Sequence, residues 1–340
     1  MFIGFHFITW HFFTQKILSG NNNGDLARLA YLPQFKQERD FIDDLPRRHI
    51  EFSEFKGGNV DVLTIGDSFS NGIGGGKNRF YQDYLASKQN VNVLNVSPYL
   101  FDATDPGNPF DTLILFLNSG VIDDIKPKYI LIESVERFAC KRSNNVKFDI
   151  AKNKKELLDY YQNVKTKTGT TLPEITFINN GNLKYYWYNY KKEYGANLLN
   201  DVVIAKLNKK MFSDVEGNTL LFLVDELKVI KNDYQLCADE LNNNLNVLSE
   251  ILIKKNIKLY FMLVVDKYNL YSDFIDNNLF GKSKLFELLR NKDKKYQFID
   301  TKKILAEELY KNGTADLFYV DDSHWSWKAS ELIFTKASVQ

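Results

Sequence analysis

The sequence predicts an α/β fold in which a parallel sheet carries helices on both faces, with an inserted cap region. Five short apolar runs, at 60–65, 91–96, 129–132, 257–265 and 296–299, have the continuous hydrophobic character of strands buried on both sides. Helical stretches alternate with them, most clearly at 110–124, 237–255 and 283–291. With 340 residues, 44% hydrophobic and 26% charged, the chain has the make-up of a globular protein and the length for one large domain. In such sheets ligands gather beyond the carboxyl ends of the strands, so residues just after each run are the first candidates for chemistry.

Residues 1–20 begin Met1-Phe2-Ile3-Gly4-Phe5-His6-Phe7, and the first lysine or arginine is Lys16. This run lacks the positive start of a signal peptide and falls short of the roughly 20 apolar residues that span a bilayer. Two readings stand open. One is a membrane anchor or signal remnant, which places the remainder in the periplasm or cell envelope; the other is an apolar helix docked on the domain. Residues 21–59 are polar with spaced apolar positions (Leu26, Leu29, Leu32, Phe35, Phe41) and predict a lead-in helix and loop. The α/β domain then occupies 60–340. It is interrupted at about 141–233 by a Lys- and Asn-rich insertion that breaks the strand–helix alternation. This cap holds the cluster Tyr185-Tyr186-Trp187-Tyr188-Asn189-Tyr190, which is either packing between cap and core or a surface on which a glycan stacks.

Charge narrows the function. Lys and Arg (44) nearly cancel Asp and Glu (43), so no positive field gathers nucleic acid, and none is expected as a partner. Cys140 and Cys237 lack the short paired spacings of a metal site; a single bridge between them stays open. No metal or cofactor is expected. Gly72-Ile73-Gly74-Gly75-Gly76-Lys77-Asn78 suggests a phosphate loop, but Asn71 and Asn78 stand where that motif needs Gly and Ser or Thr. Its glycines instead give the loop freedom to admit a substrate.

Directly after the first predicted strand comes Gly66-Asp67-Ser68-Phe69-Ser70-Asn71-Gly72. A serine on a sharp turn at a strand end presents its hydroxyl outward and its own N–H toward a developing oxyanion. The hydroxyl needs a base, ordinarily a histidine held by a carboxylate. Of four histidines (6, 11, 49 and 324), only His324 has acids two and three positions earlier, in Asp321-Asp322-Ser323-His324-Trp325. An acidic loop before a helix also reads as an N-cap, so the pairing with Ser68 is what makes it a site.

Gly66-Asp67-Ser68-Phe69 resembles the first block of the SGNH (GDSL-like) hydrolase superfamily, and Asp321-Asp322-Ser323-His324 its last block. Asp322-Ser323-His324-Trp325, with Glu133-Ser134-Val135-Glu136-Arg137-Phe138 after a strand, is most similar to the alginate O-acetyltransferase-like branch, which has D-x-H-W and E-x-x-E-R runs. The resemblance covers 60–335 in outline. It implies a flavodoxin-like sheet, Ser68 as nucleophile and His324 as base. Its two patterns select different carboxylates: D-x-x-H takes Asp321 and D-x-H-W takes Asp322. The chain also departs from the family. The strand ending at Ile132 runs into Glu133 where Gly-x-Asn-Asp would complete the oxyanion hole, and D-x-H-W follows the serine block where the branch has it first. Asn95 and Ser97, at the end of the second strand, are candidates for the missing donors. Arg137 is placed either to bind an anionic substrate group or to pair with Glu133 or Glu136. Lys267 and Tyr268, after the fourth strand, either line the same mouth or are ordinary surface residues.

The expected function is serine-dependent acyl transfer to a cell-surface or exported polysaccharide, as an O-acetyltransferase. Alternatives are a carbohydrate O-acetylesterase or simple esterase, and a non-catalytic glycan-binding scaffold. Expected partners are a glycan, an acyl donor and a membrane-bound protein that delivers the acyl group.

Overall fold

A computed structural model describes residues 1–18, 23–32, 35, 37, 39–40, 43–102, 105, 107–163, 176–214, 217–228, 230 and 234–339. Phe41 and parts of the 141–233 insertion lie outside this set. Six strands form one parallel sheet: β1 (Ile50–Glu51), β2 (Val62–Ile65), β3 (Val93–Val96), β4 (Tyr129–Val135), β8 (Lys258–Val264) and β9 (Gln297–Asp300), in the order β1-β3-β2-β4-β8-β9. All five predicted strands are present. The sixth, β1, extends the edge from within the lead-in segment, where only helix and loop were expected. All residues of β2 and β3 are buried, because helices cover both faces and leave no solvent side for polar alternation.

Leaving β1 aside, the order is that of flavodoxin-like sheets: the second strand lies on one side of the first and all later strands on the other. Right-handed crossovers running in opposite directions from β2 deposit their helices on opposite faces. The helix Tyr81–Gln89 packs with Trp327–Lys336 on one face; Pro109–Asn118, Glu136–Asn144, Tyr234–Ile253 and Leu285–Arg290 cover the other. The chain therefore diverges at the carboxyl end of β2, the position at which sheets of this order bind their ligands. Asn108 caps one of these helices by accepting from Phe110 N–H at 3.1 Å, with Pro109 at its first position. The predicted helix at 110–124 breaks after Asn118, because Gly120 takes a φ of 77° before a second helix, Val121–Ile125.

The insertion packs into the same hydrophobic core as the parallel sheet, through Leu157, Tyr161, Leu207, Phe212 and Phe222. Helices Lys154–Asn163 and Gly181–Glu193 accompany a three-stranded antiparallel sheet of β5 (Leu198–Leu199), β6 (Val202–Lys206) and β7 (Thr219–Leu223). The aromatic run lies on the helix Gly181–Glu193 and packs in part on the amino-terminal segment. Phe13 stacks on Tyr185 at 5.4 Å, Phe5 lies 5.7 Å from Tyr186, and Tyr31 lies 5.6 Å from Tyr188. Trp187, Tyr190 and Tyr194 stay exposed. Residues 2–18 form a helix with a π turn at Trp10–Thr14, whose inner face (His6, Thr9, Trp10, Thr14, Ile17) is buried. Asn182 ties it down, its amide 2.9 Å from His6 Nδ1 and 2.5 Å from Thr14 Oγ1. Among the described residues no helix is long and apolar enough to cross a membrane. Cys140 and Cys237 form a disulfide, Cα atoms 5.3 Å apart, joining Glu136–Asn144 to Tyr234–Ile253.

Candidate functional site

The turn after β2 is built to hold a serine at its tip. Asp67 C=O accepts from Asn71 N–H at 3.2 Å, and Ser68 C=O accepts from Ile73 N–H at 3.2 Å. Asp67, buried, fastens the turn to its neighbour: its carboxylate accepts from Phe69 N–H (3.2 Å), Val135 N–H (3.0 Å) and Arg142 (2.6 Å). Burial alone would raise its pKa, but Arg142 outweighs this and holds it low. Glu133 takes the other side, accepting from Asp67 N–H at 2.8 Å and Ser70 Oγ at 2.9 Å. Burial first and the Asp67 charge second push Glu133 well above the usual carboxylate range. Gly66 is obligatory here, since a β-carbon would collide with the Ser70 hydroxyl and the Glu133 carboxyl. Ser68, at the tip of the turn, is left half-buried.

The loop between Leu317 and Ser326 supplies the imidazole. An isolated bridge pairs Phe318 with Trp325, and Tyr319 N–H donates to His324 C=O at 3.3 Å, which folds 319–324 into a tight excursion. Within it Asp322 Oδ1 lies 2.6 Å from His324 Nδ1 and accepts from His324 N–H at 2.9 Å. His324 Nε2 lies 2.8 Å from Ser68 Oγ. The Phe69 ring rests 4.7 Å from the imidazole and 4.9 Å from Trp325, which sets the ring plane. Burial would lower His324, but the Asp322 charge and hydrogen bond outweigh it and raise the imidazole above its ordinary 6.5. Burial would likewise raise Asp322, yet His324 holds it well below the usual carboxylate range.

Ser68, His324 and Asp322 thus stand in one hydrogen-bonded chain. Asp321 points the other way: it pairs with Arg39 and accepts from Gly24 N–H at 2.9 Å. The remaining candidates divide. Ser97 is half-buried near the turn and donates its hydroxyl to Asn71 Oδ1 at 3.0 Å. Asn95 is fully buried, its amide spent on Glu51, Ser70 C=O, Thr64 and Gln82, so it faces no substrate. Arg137 pairs with Asp266 at 2.5 Å rather than with Glu133 or Glu136, because Asp266 follows the neighbouring strand β8 directly behind it. Glu136 instead accepts from Asp266 N–H (3.2 Å) and Asn269 Nδ2 (2.8 Å). Lys267 neither lines the mouth nor meets solvent. It is fully buried, and its ammonium donates to the carbonyls of Tyr319 (2.6 Å), Val320 (2.9 Å) and Asp322 (3.0 Å). Tyr268 is buried too, its hydroxyl donating to Gly281 C=O at 2.8 Å.

Two contributions escaped the sequence reading. Asn71 was given no role there beyond its misfit to a phosphate loop, yet it sits three residues after Ser68 and its Oδ1 accepts from the Ser97 hydroxyl. The lead-in segment is the other. Gln37 accepts from Val320 N–H at 2.5 Å and donates to Phe318 C=O, and Arg39 spans Asp321 and the Gly74 carbonyl, its guanidinium 4.3 Å above the Tyr319 ring. Gly24 abuts Asp321 so closely that a β-carbon would strike its carbonyl. Next to it Asp25 accepts from Ser323 N–H (2.7 Å) and Ser323 Oγ (2.6 Å). Asp25, Asp322 and His324 offer donor atoms within 4.8 Å of one another, spacing that also suits a cation. In the structure these atoms are engaged with Ser323, Ser68 and each other.

No protein-family model matches the chain, and no curated protein matches it. The fold and the site together define an α/β protein with a six-stranded parallel sheet and a Ser–His–Asp chain at the sheet's carboxyl rim.

Proposed function

We propose that the protein is a serine-dependent acyl-transfer enzyme of the SGNH type. One observation carries this reading: Asp322 Oδ1, His324 Nδ1, His324 Nε2 and Ser68 Oγ are linked by contacts of 2.6 and 2.8 Å at the strand-order reversal of the sheet. Ser68 Oγ attacks an ester carbonyl while His324 Nε2 takes its proton; Asp322 holds the Nδ1–H tautomer and stabilises the imidazolium. The tetrahedral oxyanion is met by the Ser68 N–H and Asn71 Nδ2. Collapse expels the alcohol, protonated by His324, and leaves an acyl-Ser68 ester. A second alcohol or water then attacks this ester as His324 again serves as base.

The acceptor is proposed to be a sugar hydroxyl of a cell-surface or exported polysaccharide, the acyl group acetyl, and the place of action the periplasm or cell envelope. The choice of transfer over hydrolysis rests on the D-x-H-W and E-x-x-E-R resemblance. The Cys140–Cys237 disulfide supports the location, since such bonds persist where the surroundings are oxidising.

The test is release of acetate from a chromogenic acetyl ester by the wild type and by Ser68→Ala, with labelling by a fluorophosphonate probe in parallel. Turnover should fall on the order of 10⁴-fold or more and labelling should vanish. Undiminished turnover by Ser68→Ala rejects the mechanism. With an oligosaccharide present, acetylated sugar marks a transferase and free acetate alone marks an esterase.

A further inference from the structure

We infer that Asp25, contributed by the lead-in segment, is a positioning residue for the His324–Asp322 pair, so that the working site has a second carboxylate from outside the 60–340 domain. The inference rests on the reading of Ser68, His324 and Asp322 as a catalytic chain.

Asp25 reaches the site because the short helix Asp25–Ala30 is clamped onto the 319–324 loop. Ala27 N–H donates to Asp321 C=O at 3.1 Å and Gly24 N–H donates to Asp321 Oδ2, while Leu26, Ala27 and Ala30 anchor the helix from the other side by burial with Leu199, Val202 and Leu221 of the small sheet. Three contacts then address the pair. Asp25 N–H donates to Asp322 Oδ2 at 3.2 Å, on the oxygen that does not face the imidazole. Its carboxylate accepts both the N–H and the hydroxyl of Ser323, the residue between Asp322 and His324. Its Oδ2 lies 3.9 Å from His324 Nδ1. The backbone contact fixes the rotation of the Asp322 carboxylate, and the Ser323 contacts fix the peptide linking acid to base. The carboxylate adds a second negative charge on the Nδ1 side of the ring, where positive charge grows as Ser68 loses its proton.

The other charged groups around the imidazole do not duplicate this. Asp321 is neutralised by Arg39, Lys267 faces the carbonyls beneath the loop, and Arg137 is paired with Asp266. Asp25 and Asp322 are the two carboxylates whose oxygens come within 4 Å of His324 Nδ1 among the described residues.

Asp25→Asn tests the inference, because the amide keeps the side-chain shape and one acceptor for Ser323 while removing the charge. On the full chain, kcat for the chromogenic ester should fall about 10- to 100-fold, the range for loss of an outer partner that orients a ligand already held directly by another group, and far less than for loss of Asp322 itself. KM should not change. The acid limb of the kcat/KM profile should move to lower pH, because a cation at His324 loses a stabilising neighbour. Fluorophosphonate labelling of Ser68 should slow in proportion to kcat. Should Asp25→Asn not fold, Ser323→Ala removes the hydroxyl half of the same link and is expected to lower kcat with KM unchanged. Wild-type kcat and an unmoved acid limb in the folded Asp25→Asn protein, or wild-type kcat in Ser323→Ala if that variant must stand in, overturn the inference. Ser68→Ala separates the two claims: if it abolishes turnover while Asp25→Asn is silent, only the role of Asp25 falls; if it leaves turnover intact, the catalytic reading falls first.

Discussion

The Lys267 ammonium is fully buried and sits 2.6 Å from the Tyr319 carbonyl and 3.0 Å from that of Asp322, so one cation gathers the backbone of the loop that carries His324. Burial pulls its pKa down to about 8, against the opposing pull of nearby acids beginning with Glu226. A neutral side chain of the same length takes this donor from the Val320 and Asp322 carbonyls and leaves the Tyr319 carbonyl with only Asp322 N–H at 3.4 Å, each lost bond costing about 1–3 kcal/mol. Lys267→Met is therefore expected to lower stability by several kcal/mol and to reduce kcat by displacing His324. Urea unfolding and ester turnover on the same preparation check this; unchanged values in both would show that the loop holds itself.

The pH profile has a definite sign. His324 must be neutral to accept the Ser68 proton, and its pKa lies above 6.5 because Asp322 outweighs burial. The acid limb of kcat/KM should therefore have its midpoint above pH 6.5, and Asp322→Asn should move it down while cutting kcat on the order of 10⁴-fold. In stability the raised imidazole contributes fully below pH 6.5 and loses its contribution as pH rises through its folded pKa. The depressed Asp322 contributes fully above 3.8 and loses its share as pH falls toward its folded value. Thermal melts across pH 3 to 9, with Asp322→Asn as the reference, should show the pair's contribution greatest between those limits.

His49 provides a second, independent pH signature away from the site. It joins the lead-in segment to the helix Tyr81–Gln89, with Nδ1 2.7 Å from Asp83 and Nε2 3.0 Å from Glu51. Burial opposes the charge, but the hydrogen bonds to Asp83 and Glu51 prevail and raise its pKa to about 9. Its stabilisation should be whole below pH 6.5 and lost as pH climbs through about 9. His49→Gln should cost about 1–3 kcal/mol at pH 6 and much less at pH 10, as denaturant titrations at the two pH values would read.

Gly66 and Asn71 make opposite demands on the turn that carries Ser68, the proposed nucleophile. Gly66→Ala places a methyl against Ser70 and the buried Glu133, so the turn must shift, and both stability and labelling of Ser68 should fall. Asn71→Ala removes the proposed oxyanion donor together with the acceptor for the Ser97 hydroxyl, and should lower kcat by about 10²- to 10³-fold at unchanged KM with the fold retained. A variant pair in which Asn71→Ala keeps wild-type kcat would place the second donor elsewhere.

The disulfide closes a loop spanning 97 residues between Cys140 and Cys237. Its removal by the double Cys→Ser substitution should cost about 2–4 kcal/mol, chiefly by freeing the unfolded chain. Chemical denaturation of the oxidised and substituted proteins gives the difference directly.

Much of this molecule was legible in the residue order. Short β-branched and aliphatic runs closed by turn residues read as strands covered on both faces, and 60–65, 91–96, 129–132, 257–265 and 296–299 all reappear in one parallel sheet. A serine after a buried strand and a histidine preceded by acids are local patterns too, and they name Ser68 and His324. Local spacing is silent, however, on which side chains meet across the fold. Asp321 and Asp322 are adjacent in sequence, and only the path of the lead-in segment, bringing Gly24 and Arg39 to the first, leaves the second for the imidazole. Lys267, Asn95 and Arg137 look like surface or site residues because Lys, Asn and Arg are seldom buried. Tertiary packing buries all three against partners between 13 and 129 positions away. The contribution of Asp25 has the same origin: 297 residues separate it from Asp322, and no periodicity in the chain records a contact made by folding one end across the other.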